Sequence, residues 1–208
     1  ALRSDIEYLK KSGFNLTRKH VKVEPERFYY WCDKLGLMVW QDIPSPFFEH
    51  PAKGDAKGWD EDFPPLTDEW KKNFEHELLR LIQSRSHHPS IVMWVPFNEG
   101  WGQNDLAWSK QMAEFVKATD PTRLVHNASG WTDMKTGDTM DVHVYPGPAV
   151  PPLEDSRASV LGEFGGLGLV RVAQLPAYGA TEKDAVAVIA WAAAEKLPLS
   201  TTARSILS

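Results

Sequence analysis

One cysteine, Cys32, stands in 208 residues, so the chain forms no internal disulfide and offers no site built from several thiolates. Its setting, "FYYWCDKLG", reads as a helical core position without a neighbouring base to activate the thiol. Long apolar runs are also missing. Nothing approaches the roughly 20 residues that a membrane-crossing helix requires, and the opening "ALRSDIEYLKKSG" lacks the apolar centre of a signal peptide. No membrane partner is expected, and the compartment stays open. Clustered positive charge is a third absence. The 23 Lys and Arg are interspersed with 28 Asp and Glu, for a net charge of -5, and no basic stripe is there to follow a phosphate backbone. Nucleic acid is therefore not an expected partner. Internal repeats are absent too.

Aromatic residues are plentiful by contrast. Nine Trp, nine Phe and five Tyr make up 11% of the chain, and several sit beside Gly, Pro or acids, outside any periodic core stripe. Most serve packing, but exposed aromatic faces also suit the apolar C-H face of a sugar ring, which leans the composition toward carbohydrate. The rest, 42% hydrophobic and 25% charged, is ordinary for a globular chain.

Strand-like runs recur at residues 14–20, 35–43, 90–99, 122–129, 139–146 and 158–166. Amphipathic stretches separate most of them, notably "EPERFYYWCDKLG", "TDEWKKNFEHELLRLIQSRS" and "NDLAWSKQMAEFVKATDP", and a helix ending near Gly13 precedes the first. Alternation of strand and helix predicts an α/β fold with a parallel sheet inside and helices outside. The strands are apolar and end in polar residues: Arg18 and His20, Gln41 and Asp42, Asn98 and Glu99, His126 and Asn127, His143 and Tyr145, Glu163. In a (β/α)8 TIM barrel such ends gather on one face and build the active site. Six recognisable strands fall short of eight, so the barrel reads as incomplete, its first and eighth strands missing or unclear, and the chain as cut at both ends. The loop at residues 44–66, with Phe47, Phe48 and Trp59, is long enough to be read as a wall or lid over the site. Residues 169–208 are Ala-rich, with "TEKDAVAVIAWAAAEKLP" as a helix capped by Thr181 and Asp184, either the last barrel helix or a divergent tail.

Glu99 and Glu163 each follow an apolar strand and precede glycine-containing sequence, "NEGWG" and "GEFGGLG", which lets the backbone turn away from a bulky ligand. Two carboxylates across a glycosidic bond are the machinery of glycoside hydrolysis, one donating a proton to the leaving oxygen and the other acting at the anomeric carbon. Burial beside a second carboxylate is one way to keep the donor protonated. Asn98 adds an amide suited to the sugar's 2-hydroxyl.

At these residues the sequence resembles a known family. "HHPSIVMWVPFNEGWGQ", "GFNLTRKHVKVEPERFYYWCDKLGLMVWQDIP" and "VLGEFGGLG" are similar to the catalytic barrel of glycoside hydrolase family 2, which holds β-galactosidases, β-glucuronidases and β-mannosidases. The likeness covers roughly residues 1–168; beyond it, "LVRVAQLPAYGATEKD" departs from the expected pattern. The resemblance implies a retaining glycosidase with Glu99, ending the fourth barrel strand, as general acid/base and Glu163, ending the seventh, as nucleophile. It further implies Asn98 at the 2-hydroxyl, Arg18 and His20 after the second strand, and Tyr145 near the nucleophile. Asp42 in "VWQDIP" and His143 fit as partners of sugar hydroxyls, with Trp101 and Trp131 as platforms. That family's β-sandwich domains would lie beyond this chain, and the open strand edges of an incomplete barrel would favour self-association. Neither cofactor nor metal is expected: adjacent His87 and His88 on a helix end should face apart, and HExxH spacing does not occur.

Plain structural readings stand beside these roles: Arg18 within an ion-pair network, Tyr145 as a rim aromatic, His143 as a satisfied barrel histidine, the tryptophans as loop packing. Two other functions use the same tips. Asp42, Glu99 and Glu163 would serve as magnesium ligands in a barrel lyase, and an incomplete barrel would bind sugar without turnover.

Overall fold

A computed structural model describes residues 2–45, 66–145 and 147–165. The chain divides into two units, Ala1–Val144 with Pro148–Phe164, and Tyr145–Gly147 with Gly165–Ser208. Every element below belongs to the first. In order they are α1 (Leu2–Lys11), β1 (Leu16–Lys19), α2 (Glu26–Leu35), β2 (Met38–Asp42), α3 (Asp68–Arg85), β3 (Ile91–Val95), β4 (Phe97–Asn98), α4 (Leu106–Thr119), β5 (Leu124–Val125), β6 (Ala128–Ser129), β7 (Thr139–Val144) and β8 (Ala158–Phe164).

Local chemistry sets the helix ends. At Gly13, whose φ is 91°, the Gly13 and Phe14 amides bond back to Lys10 and Leu9 carbonyls at 3.1 Å each. That pairing satisfies the last carbonyls of α1 and needs a residue free of a Cβ penalty. Thr67 and Asp105 cap α3 and α4 by accepting the Trp70 and Trp108 amides at 3.1 and 3.0 Å, as short oxygen-bearing side chains do at exposed first-turn donors.

All strand ladders are parallel. β1, β2, β3 and β5 form one sheet in that order, β4 pairs with β6, and β7 with β8. Two runs that look continuous in sequence are each broken into two strands. Pro96, lacking an amide donor, separates β3 from β4; His126, bridged antiparallel to Gly137, and Asn127 separate β5 from β6. The β/α alternation is that of a TIM barrel, and among the described residues it does not close. The core lies between this sheet and its helices: Tyr29, Trp94 and Phe97 are essentially inaccessible. Phe97 stacks on Phe74 of α3 at 5.2 Å with Trp108 of α4 edge-on to both. Aromatic rings therefore fix the level at which β4 ends and Glu99 emerges. Phe47, Phe48 and Trp59, and the helix with Thr181 and Asp184, lie outside the described residues.

Candidate active site

The strand tips converge on Arg18. Its Nε donates to Asp42 Oδ1 at 3.0 Å, and Nη2 to Asp42 Oδ2 and Asn98 Oδ1 at 2.8 Å each. Nη1 donates to Glu163 Oε1 at 2.7 Å and Ser129 Oγ at 2.8 Å. All five guanidinium protons are thus used, on groups from four other strands. Burial opposes the charge, yet the Asp42 and Glu163 carboxylates, with Asp141 behind them, hold the Arg18 pKa above its ordinary value. The ion-pair network weighed from sequence is therefore present, and it lies within the cluster of tip residues.

Asp42 was expected at sugar hydroxyls. It is buried, with both oxygens on Arg18 and Oδ2 also taking the Val21 amide at 3.0 Å. A carboxylate facing a fixed guanidinium fork forms the strong, bidentate kind of ion pair. Asn98, only 1% exposed, spends its Oδ1 on Arg18, which leaves Nδ2 buried and without a hydrogen-bond partner.

Glu99 occupies the left-handed region with φ 50°, a conformation that costs a non-glycine residue roughly 1–3 kcal/mol and persists only where surroundings overdetermine it. Here its amide donates to Ser129 O at 2.8 Å and its carbonyl accepts the Trp131 indole N–H at 2.9 Å. Its Oε1 lies 2.7 Å from His143 Nδ1. That approach needs Gly130, since a Cβ there would sit 2.7 Å from the same nitrogen. His143 was expected at a sugar hydroxyl. Both ring nitrogens meet protein groups, Nδ1 facing Glu99 and Nε2 lying 2.8 Å from Ser129 Oγ.

Sequence reasoning passed over Ser129 and Asp141. Asp141 is buried two residues before His143, so strand alternation puts both on one face; that spacing was the available signal. Burial works against its charge, but His126 beside it, the hydrogen bond from the Ser129 hydroxyl and the nearby His143 ring bring the carboxyl below its usual range. Its Oδ1 accepts the Gly162 amide at 2.7 Å. Any side chain at 162 would meet that carboxylate at 2.1 Å, which explains the glycine just before Glu163.

At the rim, His20 is 3.4 Å from Asp42 and 3.9 Å from Glu163, with Trp101 at 5.8 Å from its ring. Trp131 stands edge-on to His143 at 5.7 Å and is partly exposed. Tyr145 falls in the second unit and is 48% exposed.

Glu99, His143 and Glu163 each present a ligand-type atom within 4.8 Å of the others. A cation there would face the Arg18 guanidinium, 2.7 Å from Glu163, and Asp42 would not help hold it. The cluster is better suited to sharing protons. Glu26, His87 and His88 form the second such group among the described residues. The two histidines do not face apart: a turn follows α3, and both Nε2 atoms reach Glu26 Oε1 at 2.8 Å. Arg85 pairs with the other oxygen at 3.0 Å and Asp33 holds His88 Nδ1 at 2.6 Å. This network ties α2 to the turn before β3, and its guanidinium already supplies the positive charge.

Residues 1–154 match the family model of glycosyl hydrolases family 2, TIM barrel domain. Over 127 residues the chain is 29% identical to a β-glucuronidase of Bacteroides fragilis, covering 60% of this chain and 17% of that protein. Over 121 residues it is 34% identical to a β-galactosidase of Thermoanaerobacterium thermosulfurigenes, covering 57% and 14%. It also resembles the structure of Bacteroides uniformis β-glucuronidase 2 covalently bound to cyclophellitol-6-carboxylate aziridine. That match has a TM-score of 0.54 at 23% identity over 70% of this chain and 18% of that one, a likeness of fold. The chain spans under a fifth of the length of each of these proteins.

Proposed function

Because the chain belongs to glycosyl hydrolase family 2, through that family's TIM barrel domain, we propose that it carries the centre for hydrolysing terminal β-glycosidic bonds by a retaining double displacement. Glu163 is the nucleophile and Glu99 the acid/base. One observation carries this reading: two glutamates from different strands bring carboxylate oxygens within 4.8 Å of each other, yet have different partners. Carboxyl groups about 5–5.5 Å apart suit direct attack, whereas about 6.5–9.5 Å leaves room for a water and inversion.

In the first step a Glu163 oxygen bonds to the anomeric carbon as the glycosidic bond breaks, and Glu99 gives its proton to the departing oxygen. In the second, water attacks that carbon, the ester bond to Glu163 breaks, and Glu99 takes the water's proton. Arg18 supplies the counter-charge that returns with the nucleophile. Asn98 Nδ2, buried and unpartnered, is the donor left for the 2-hydroxyl, where a bond that strengthens in the transition state accelerates the reaction. His20, Trp101 and Trp131 line the approach.

The test is turnover of aryl β-glucuronides, β-galactosides and β-mannosides by the full chain. Glu99→Gln and Glu163→Gln should each lower kcat/KM by roughly 1,000-fold, with EDTA without effect. Azide should rescue Glu163→Ala and give the glycosyl azide of inverted configuration. A cooperatively folded chain that cleaves none of the panel would sink the proposal.

A further inference from the structure

The hydrogen-bond valence of one buried hydroxyl decides where a proton sits in this site. Ser129 Oγ has one proton and two lone pairs. It has three neighbours: Arg18 Nη1 at 2.8 Å, Asp141 Oδ2 at 2.6 Å and His143 Nε2 at 2.8 Å. Arginine only donates, so it uses one lone pair. Asp141 carries a buried carboxylate that already accepts the Gly162 amide and faces His126 Nε2 at 3.3 Å, so it takes the hydroxyl proton. The remaining lone pair must then receive a hydrogen from His143, and Nε2 is the protonated nitrogen.

The consequence appears on the other side of the ring. With Nε2 carrying the hydrogen of the neutral imidazole, Nδ1 presents a lone pair to Glu99 Oε1, 2.7 Å away. A carboxylate oxygen and a bare ring nitrogen repel at that distance, so a further proton lies between them. We propose that Ser129 and Asp141 lock His143 as its Nε2–H form, so that the catalytic proton is stored in the hydrogen bond between His143 Nδ1 and Glu99. Ser129 and Asp141 are positioning residues, acting through His143. The inference rests on Glu99 as acid/base. When that proton passes to the leaving oxygen, the bare Nδ1 is left facing a carboxylate, and the pair regains a proton from the water that cleaves the glycosyl ester. Protons balance over the cycle, and no other donor is required.

Among the described residues, the charged groups facing His143 are Glu99 beyond β4, Asp141 on its own strand at 3.9 Å and Glu163 on β8 at 3.6 Å. Arg18 on β1 acts through Ser129, and Trp131 presents its ring edge. Among the described residues, only Glu99 meets Nδ1 at hydrogen-bond distance, so the lock and the stored proton lie on opposite sides of the ring.

Nitrogen-15 NMR of the histidines in the full chain tests this without turnover, with His143 assigned by the signals lost in His143→Gln. The expected result is a protonated Nε2 wherever the fold persists; a bare Nε2 beside a protonated Nδ1 overturns the proposal. Asp141→Asn and Ser129→Ala should each move His143 toward the Nδ1–H form, while Ser129→Thr keeps the native one. In kinetics, Ser129→Ala should move the alkaline limb of kcat/KM down by about one pH unit, a roughly tenfold loss on that side with little change on the acid side. An unmoved limb in a folded variant also overturns it. If the protonated Nε2 is observed and no glycoside is cleaved, the proton placement stands and the proposed activity fails.

Discussion

The strands that deliver the two glutamates are held in place by different forces. β3 and β4, leading to Glu99, are almost wholly buried; β3 has a parallel neighbour on each side, β2 and β5, and β4 lies under Phe74 and Trp108. β8, carrying Glu163, pairs with β7 alone among the described residues, and each of its residues is half-buried or exposed. Apolar burial therefore sets the position of Glu99. The position of Glu163 depends on polar contacts: Arg18 across the site, Asp141 on the Gly162 amide, and Arg157 just before the strand. Arg157 is itself buried and reaches Asp133 with Nη1 and Nη2 at 2.7 Å each, and Glu154 with Nε and Nη2 at 2.7 and 2.8 Å. It thereby ties the start of β8 to the loop of Trp131.

This contrast makes measurable claims. Phe97→Ala should cost about 3–5 kcal/mol in urea unfolding, because a stacked ring with no solvent access leaves a cavity. Arg157→Met should cost about 2 kcal/mol at pH 7. The Arg157 fork, against a smaller opposing effect of burial and with help from Lys135, draws the Asp133 carboxyl from 3.8 to about 2. A depressed folded value stabilises above the unfolded one, so this contribution should be full above about pH 5 and disappear as pH falls from about 4 to 2. Wild type and variant should converge there, and hydrogen exchange in the variant should rise in β8 before β3. Leu161→Ala, in the middle of β8, should cost only about 1 kcal/mol, its side chain being half-buried. A loss as large as that of Phe97→Ala would erase the distinction between the strands.

Much of the scaffold is visible in local patterns. Helical periodicity and caps locate α1 to α4, and each strand-like run contains a strand, though Pro96 and His126 break two of them. A polar residue ending an apolar run marks a barrel tip, which is why Arg18, Asp42, Asn98, Glu99, His143 and Glu163 are recognisable one by one. What each touches is less visible. Nothing local to Asp42 announces that both its oxygens accept from Arg18; adjacent His87 and His88 look divergent and meet on one carboxylate.

By itself, therefore, the sequence determined which residue types stand at the strand ends, since alternation and punctuation act over a few neighbours. Only the tertiary structure decided their partners. Arg18 joins Glu163 across 145 positions of chain, and Ser129 accepts from Arg18 across 111. Such pairings are settled by where strands lie in space and by how many donors and acceptors each atom can satisfy once water is excluded.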